Sequence, residues 1–225
     1  MRAVRLVRAG VGPAGLDVVD LPVPALAPDE VLVEVRAVSA TRLETEQTMA
    51  GVGLGRAVRL PRVLGMDPAG VVVAQGADVA GDRLGKRVAV KPNLVCGSCR
   101  YCLAGVESDC LQQHVLGVHR DGGAAKYVAV PDRAAFAIDD SLDFVQAAAA
   151  VHTVPVALHM LRCAGQPGAG ATVLVLGAGG AVGSAAVQLA VRAGASVIGA
   201  VSDAAKARHA LADGALHTVD SMVVT

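Results

Sequence analysis

The chain has 225 residues, enough for one large domain or two modest ones, and its 20 Lys and Arg are balanced by 20 Asp and Glu. Zero net charge offers no support for an electrostatic interface with nucleic acid or an anionic membrane. The composition is 53% hydrophobic with two Phe, two Tyr and no Trp, so a core must be built from Val, Ala and Leu.

The opening stretch, residues 1–10, is too charged for the apolar region of a signal peptide. No apolar run is expected to reach membrane-spanning length, and the protein is expected to be cytoplasmic. Residues 1–22 read as a strand, a turn over Gly10–Gly15 and a second strand ending before Pro22. Val31, Val33 and Val35 alternate with Leu32, Glu34 and Arg36, the period of a half-buried strand. Residues 40–60 read as irregular, with Gly51, Gly53 and Gly55 marking a flexible loop. Further strands are expected over 70–75 and 87–90, and a turn then a strand over 121–130. Short strands with frequent Gly and Pro punctuation suggest a β-barrel-like domain to about residue 140. Alanine and aliphatics then predict a helix from Leu142 to Cys163, started by Ser141 and Asp143 and broken or restarted at Pro155. Residues 172–201 read as strand, glycine turn, helix and strand, a βαβ unit. A last helix (204–212) and a weak strand (215–219) follow. The tail, residues 220–225, reads as an arbitrary ending.

Four of the five cysteines, Cys96, Cys99, Cys102 and Cys110, form the pattern C-x2-C-x2-C-x7-C. Four thiolates this close can enclose one Zn²⁺, and a site filled by four cysteines has no open position for water or substrate, so the zinc would be structural. Two disulfides, or four separate buried thiols, are the alternatives. Disulfides are rare in a reducing compartment. Cys163 stands apart and reads as a small buried hydrophobe.

Thr172–Leu176 is a continuous apolar strand of the kind buried on both faces of a parallel sheet. Gly177, Gly179, Gly180, Ala181, Val182 and Gly183 follow as G-x-G-G-x-x-G, with Val182 where the strict dinucleotide motif has its third glycine. Glycines there permit close approach of the backbone to a pyrophosphate, and the free N–H groups of the next helix bind it. The alternative is a structural strand–helix turn with no ligand. An NAD site wants an acidic residue at the end of the second strand. Val201 occupies that place, followed by Ser202, Asp203 and then Lys206; a small hydroxyl and a cation suit a 2′-phosphate, so NADP(H) is preferred over NAD(H). Alternatively, Ser202 caps the next helix and Lys206 is solvated.

With these motifs, the strand E-V-L-V-E-V-R-A-V, L-G-M-D-P-A-G-V-V at 64–72 and D-G-G-A-A-K-Y-V-A-V-P, the chain resembles the medium-chain dehydrogenase/reductase superfamily, the zinc alcohol dehydrogenase and quinone reductase relatives. The resemblance implies a GroES-like β-barrel domain over 1–145, with a structural zinc lobe at 93–112, and an incomplete Rossmann domain over 146–225. It implies an oxidoreductase moving hydride between nicotinamide and an alcohol, carbonyl or enone/quinone. Where the family binds a catalytic zinc, this chain has Thr41, Met66 and Asp67, and the third position falls near His152. One zinc is therefore expected and not two, with Thr41, Asp67 and His152 lining the site. Alternatively, His152 is a packing residue, the commoner role of a single His in an Ala/Val-rich stretch. A half-length Rossmann sheet implies a homo-oligomer or a partner chain that completes it. A catalytically inactive remnant, or a subunit needing that partner, are the rival readings. The substrate would be a small molecule, with no nucleic acid or membrane partner.

Overall fold

The computed structural model describes residues 1–53 and 56–221, without the Arg56 side chain; Gly55 of the expected loop and most of the tail lie outside these. Two compact units are present, Met1–Val151 and His152–Thr225.

In the first unit, β1 (Arg2–Leu6) and β2 (Leu16–Asp20) pair antiparallel across the expected turn. Next come β3 (Glu30–Val38), α1 (Arg42–Ala50), the two-residue β4 (Arg62–Val63), β5 (Pro68–Gln75) and β6 (Arg87–Val90). β4 joins β1, giving the order β2-β1-β4. After a short helix α2 (Arg100–Leu103), β7 (Tyr127–Pro131) and β8 (Ala135–Ala137) complete a five-stranded antiparallel sheet in the order β7-β3-β5-β6-β8. Its register sets Val33 opposite both Val72 and Val128. These valines pack with Val31, Val88, Val90 and Leu116 into the core of the unit. β-branched side chains suit this surface, because a pleated sheet accepts their restricted rotamers.

Helix α1 corrects the irregular reading of residues 40–60. Its sequence R-L-E-T-E-Q-T-M-A carries no strong apolar stripe, so periodicity misses it. The signal lay in T-R-L-E: Thr41 accepts from the Leu43 N–H at 3.2 Å, and Glu44 accepts from the Thr41 N–H at 2.7 Å, a capping box. Gly51 ends the helix in a left-handed conformation, φ 68°.

Helix α3 (Phe144–Cys163) runs through Pro155 without a break, against expectation. Packing on both sides of the proline explains its tolerance. Ala147 and Ala148 fill the cluster around Ala69 and Ala89, while Ala157 is fully buried in the second unit's core. Asp143 starts the helix, accepting from the Gln146 N–H at 2.7 Å. Ser141 does not take part, bonding instead to Asp139 at 2.6 Å. By length and composition α3 could cross a membrane, correcting the expectation that no run is so long. Ala147, Ala148 and Ala157 of this helix are buried, whereas 17% of its apolar window in all is buried.

The second unit continues with β9 (Thr172–Leu176), α4 (Ala181–Arg192), β10 (Ser196–Val201), α5 (Ala204–Ala212) and β11 (His217–Asp220). The strands form a parallel sheet in the order β9-β10-β11, the opening of a Rossmann fold. β9 is not buried on both faces. Val175 points into the core, whereas Leu174 and Leu176 are 49% and 69% exposed. Val175 and Val197 pack with Ala185, Ala186, Val187 and Ala190 of α4 and Ala210 of α5 in one core, and Leu174 and Leu176 lie outside it.

Candidate metal lobe and nucleotide turn

The four sulfurs of Cys96, Cys99, Cys102 and Cys110 lie within 4.8 Å of one another. Separations of 3.9 Å (96–102), 3.6 Å (99–102) and 3.6 Å (96–110) match the edge of about 3.8 Å that Zn–S bonds of about 2.3 Å impose on a tetrahedron. The chain reaches this arrangement through tight local geometry. Gly97 and Gly105 adopt φ 74° and 75°, and α2 places Cys99 at its N-cap and Cys102 one turn on. Backbone N–H groups of Cys96 and Cys99 point at the sulfurs of Cys110 and Cys96, each at 3.4 Å, as donors that steady thiolates. From outside the lobe, Arg133 donates to the Cys96 carbonyl at 2.7 Å.

The four thiols are not electrostatically alike. Backbone N–H groups, first that of Ser98 and then that of Cys99, pull the Cys96 thiol down to about 6. Removal from solvent, above all, pushes Cys102 up to about 12. Four adjacent thiolates cannot all ionise without a cation, and a divalent soft ion supplies the missing charge. The donor set fits zinc. All five cysteines are free thiols, and Cys163 is exposed, correcting its reading as buried.

At the glycine turn, Gly177 takes φ 68° and its carbonyl accepts from the Gly180 N–H at 2.9 Å. Gly180 caps α4 without a side chain, leaving the first-turn N–H groups of Ala181, Val182 and Gly183 uncapped by it. A methyl group on Gly183 would stand 2.1 Å from the Gly177 oxygen; on Gly180 it would stand 3.3 Å away. Gly183, and not position 182, therefore lets helix and strand pack. A methyl on Gly179 would strike the Lys206 Cβ at 2.4 Å, so the Lys206 stem lies against the turn. The Lys206 ammonium donates to Ser202 Oγ at 2.7 Å and lies 3.1 Å from Asp203. The cap of α5 is Asp203, not Ser202: its Oδ1 accepts from the Lys206 N–H at 2.8 Å, a bond that chiefly holds its carboxyl below the usual range.

Thr41 is spent on capping α1, its hydroxyl also donating to Glu44 at 2.7 Å. Thr41→Ala should lower stability by about 1 kcal/mol, measurable by thermal denaturation, as for a lost N-cap. Asp67 is 2% exposed and accepts from Ser39 Oγ at 2.8 Å, a neighbour the sequence reading missed. Met66 is buried among Val58, Val115 and Val118. His152 is half-buried on α3. The structure thus gathers the four cysteines into one cluster and the glycines, Ser202 and Lys206 into another.

Residues 27–140, just over half of the chain, match the alcohol dehydrogenase GroES-like domain family. The chain belongs to the medium-chain dehydrogenase/reductase superfamily. Among relatives of this dehydrogenase-family chain, the L-threonine 3-dehydrogenase of Streptomyces avermitilis is 36% identical over 187 residues, covering 80% of this chain and 52% of that one. A crystal structure of an NAD-dependent alcohol dehydrogenase superposes with a TM-score of 0.91 at 38% identity, covering 99% of this chain and 64% of the other. A zinc-binding dehydrogenase of Sinorhizobium meliloti bound to NADP gives 0.86 at 33% identity, covering 98% and 62%. This chain therefore spans less than two thirds of the length of these relatives. The fold expected from the resemblance, a GroES-like unit followed by a partial Rossmann sheet, is the one observed.

Proposed function

We propose that this chain is the zinc-bearing, nucleotide-binding portion of an NADP(H)-type oxidoreductase, acting between nicotinamide and an alcohol, carbonyl or enone/quinone without a catalytic zinc. The observation that carries this reading is the glycine turn with the Lys206 stem against Gly179 and no carboxylate at Val201. The uncapped N–H groups of Ala181, Val182 and Gly183 would receive a pyrophosphate. An ammonium has three donors, so Lys206, engaged by Ser202 and Asp203, retains one for a 2′-phosphate. Cys96, Cys99, Cys102 and Cys110 would hold one structural zinc, which stiffens the lobe and takes no part in the reaction.

When bound, nicotinamide supplies or accepts the hydride. This chain's own contribution would be to manage the accompanying proton. Ser39 Oγ holds its proton towards Asp67 Oδ2, and a buried carboxylate bridged to a hydroxyl is suited to passing one.

The test is calorimetric titration of the zinc-loaded protein with NADPH and NADH. NADPH should bind at least about tenfold more tightly, and Lys206→Met, which keeps the stem over Gly179, should remove that preference and leave NADH unchanged. Equal binding of both nucleotides before mutation would refute the NADP(H) assignment. A second reading, a subunit whose sheet a partner chain completes, is favoured by the exposed Leu174 and Leu176. Recovery of this protein only as a complex with such a chain would select it.

A further inference from the structure

The first unit carries a groove of about 820 Å³ between the β2-β1-β4 sheet, the proline segment 21–25, the turn at 119–122 and β7. Its charge is one-sided. Arg5, Arg62, Arg120, His114 and His119 line it, and Asp121 is the single carboxylate among its described lining residues. Two of the arginines are already engaged. Arg62 lies 3.2 Å from Asp121, and Arg120 lies 2.6 Å from the buried Glu30 and donates to the Ala129 carbonyl at 3.0 Å. Arg5 differs from both. Its side chain makes no ion pair or hydrogen bond among the described residues, even though Asp17 stands opposite it in the strand register. Its Nε–H is shielded from solvent and has no acceptor, and the same is true of the Arg62 Nε–H. A guanidinium that has lost part of its hydration and gained no counter-charge carries an electrostatic penalty, which an anion beside its outer nitrogens relieves.

Part of the lining is apolar. Leu21, Pro22, Val23, Pro24 and Ala25 present a run without a single hydrogen-bonding side chain, and Val23 is 50% exposed. Three prolines in and beside this segment hold it extended, and Tyr127 adds an aromatic ring to the lining. One cation without a counter-charge, Arg5, and a rigid apolar strip lining the same groove make an amphiphilic recognition surface.

We propose that this groove binds an organic anion, with its carboxylate or phosphate against Arg5 and Arg62 and its apolar body along residues 21–25. The guanidiniums offer forked donors matched to either oxyanion, and the strip selects against a fully hydrated inorganic ion.

The experiment follows the arginine Nε–H and Tyr127 resonances of the full chain in ¹H–¹⁵N spectra during titration with phenyl phosphate, benzoate and inorganic phosphate. Phenyl phosphate or benzoate should shift the Arg5 and Arg62 signals along one saturable curve, at least about tenfold tighter than inorganic phosphate. Which of the two organic anions binds more tightly distinguishes a phosphate ligand from a carboxylate one. Arg5→Gln should weaken binding about tenfold with its thermal midpoint retained. Should Arg5→Gln fold poorly, Val23→Asp on the exposed strip must produce the same loss. Absence of a saturable shift, equal affinity for inorganic phosphate, or undiminished binding by a folded variant would overturn the proposal.

Discussion

Cys99→Ser should abolish stoichiometric zinc binding. The wild-type protein is expected to retain one zinc per chain through dialysis, and the variant to retain essentially none after the same treatment, read by atomic absorption. The reason is geometric: Cys99 Sγ is 3.6 Å from Cys102 Sγ in a cluster with every sulfur within 4.8 Å of the others. Serine offers a harder, poorly ionised oxygen on a shorter bond, leaving three thiolates around a soft ion. Structural zinc contributes about 10 kcal/mol or more to small metal-folded units. Outside the cysteines the lobe has few ties, chiefly the Lys91–Glu107 ion pair and the bond from Arg133 to the Cys96 carbonyl. Amide protection over residues 95–112 should therefore be lost while the five-stranded sheet, which has its own valine core, stays folded. A variant holding a full equivalent of zinc would refute the four-cysteine site.

One methyl group placed at two positions of the glycine turn should give opposite results. Gly180→Ala should leave the thermal midpoint nearly unchanged and weaken NADPH binding by about tenfold or more. The added Cβ stands 3.3 Å from the Gly177 oxygen, and φ −95° at residue 180 suits any L residue. What it obstructs is the approach of a pyrophosphate to the helix N-terminus. Gly183→Ala should instead cost about 2 kcal/mol of stability, because its Cβ would fall 2.1 Å from the same oxygen and force α4 away from β9. Denaturant unfolding and calorimetry on both variants separate the effects. Unchanged NADPH affinity in folded Gly180→Ala would mean that the turn is structural only.

The features readable without coordinates are those whose parts lie close together along the chain. The metal lobe takes its four sulfurs from fifteen consecutive residues, Cys96 to Cys110, and its turns come from glycines at fixed offsets. The β9–turn–α4–β10 unit is equally local, so a strand period, a glycine cluster and a helix period announce it in order. Helix α1 was legible as well, through the Thr41–Glu44 capping box, but its polar surface concealed it from a reading based on apolar periodicity.

Other features depend on partners distant in sequence. Gly183 matters because it meets the Gly177 carbonyl, and Ser39 because folding brings it to Asp67, twenty-eight positions away. The apolar run of β9 matches a strand buried on both faces, yet Val175 packs into the α4–α5 core while Leu174 and Leu176 are exposed. The Arg5 groove is assembled from β1, β4, the proline segment and β7, elements up to a hundred and more residues apart. Spacing in the chain can specify a ligand set or a turn, because bond lengths carry it directly into space. Which face is covered, and which charge lacks a counter-charge, depends on how separate elements pack.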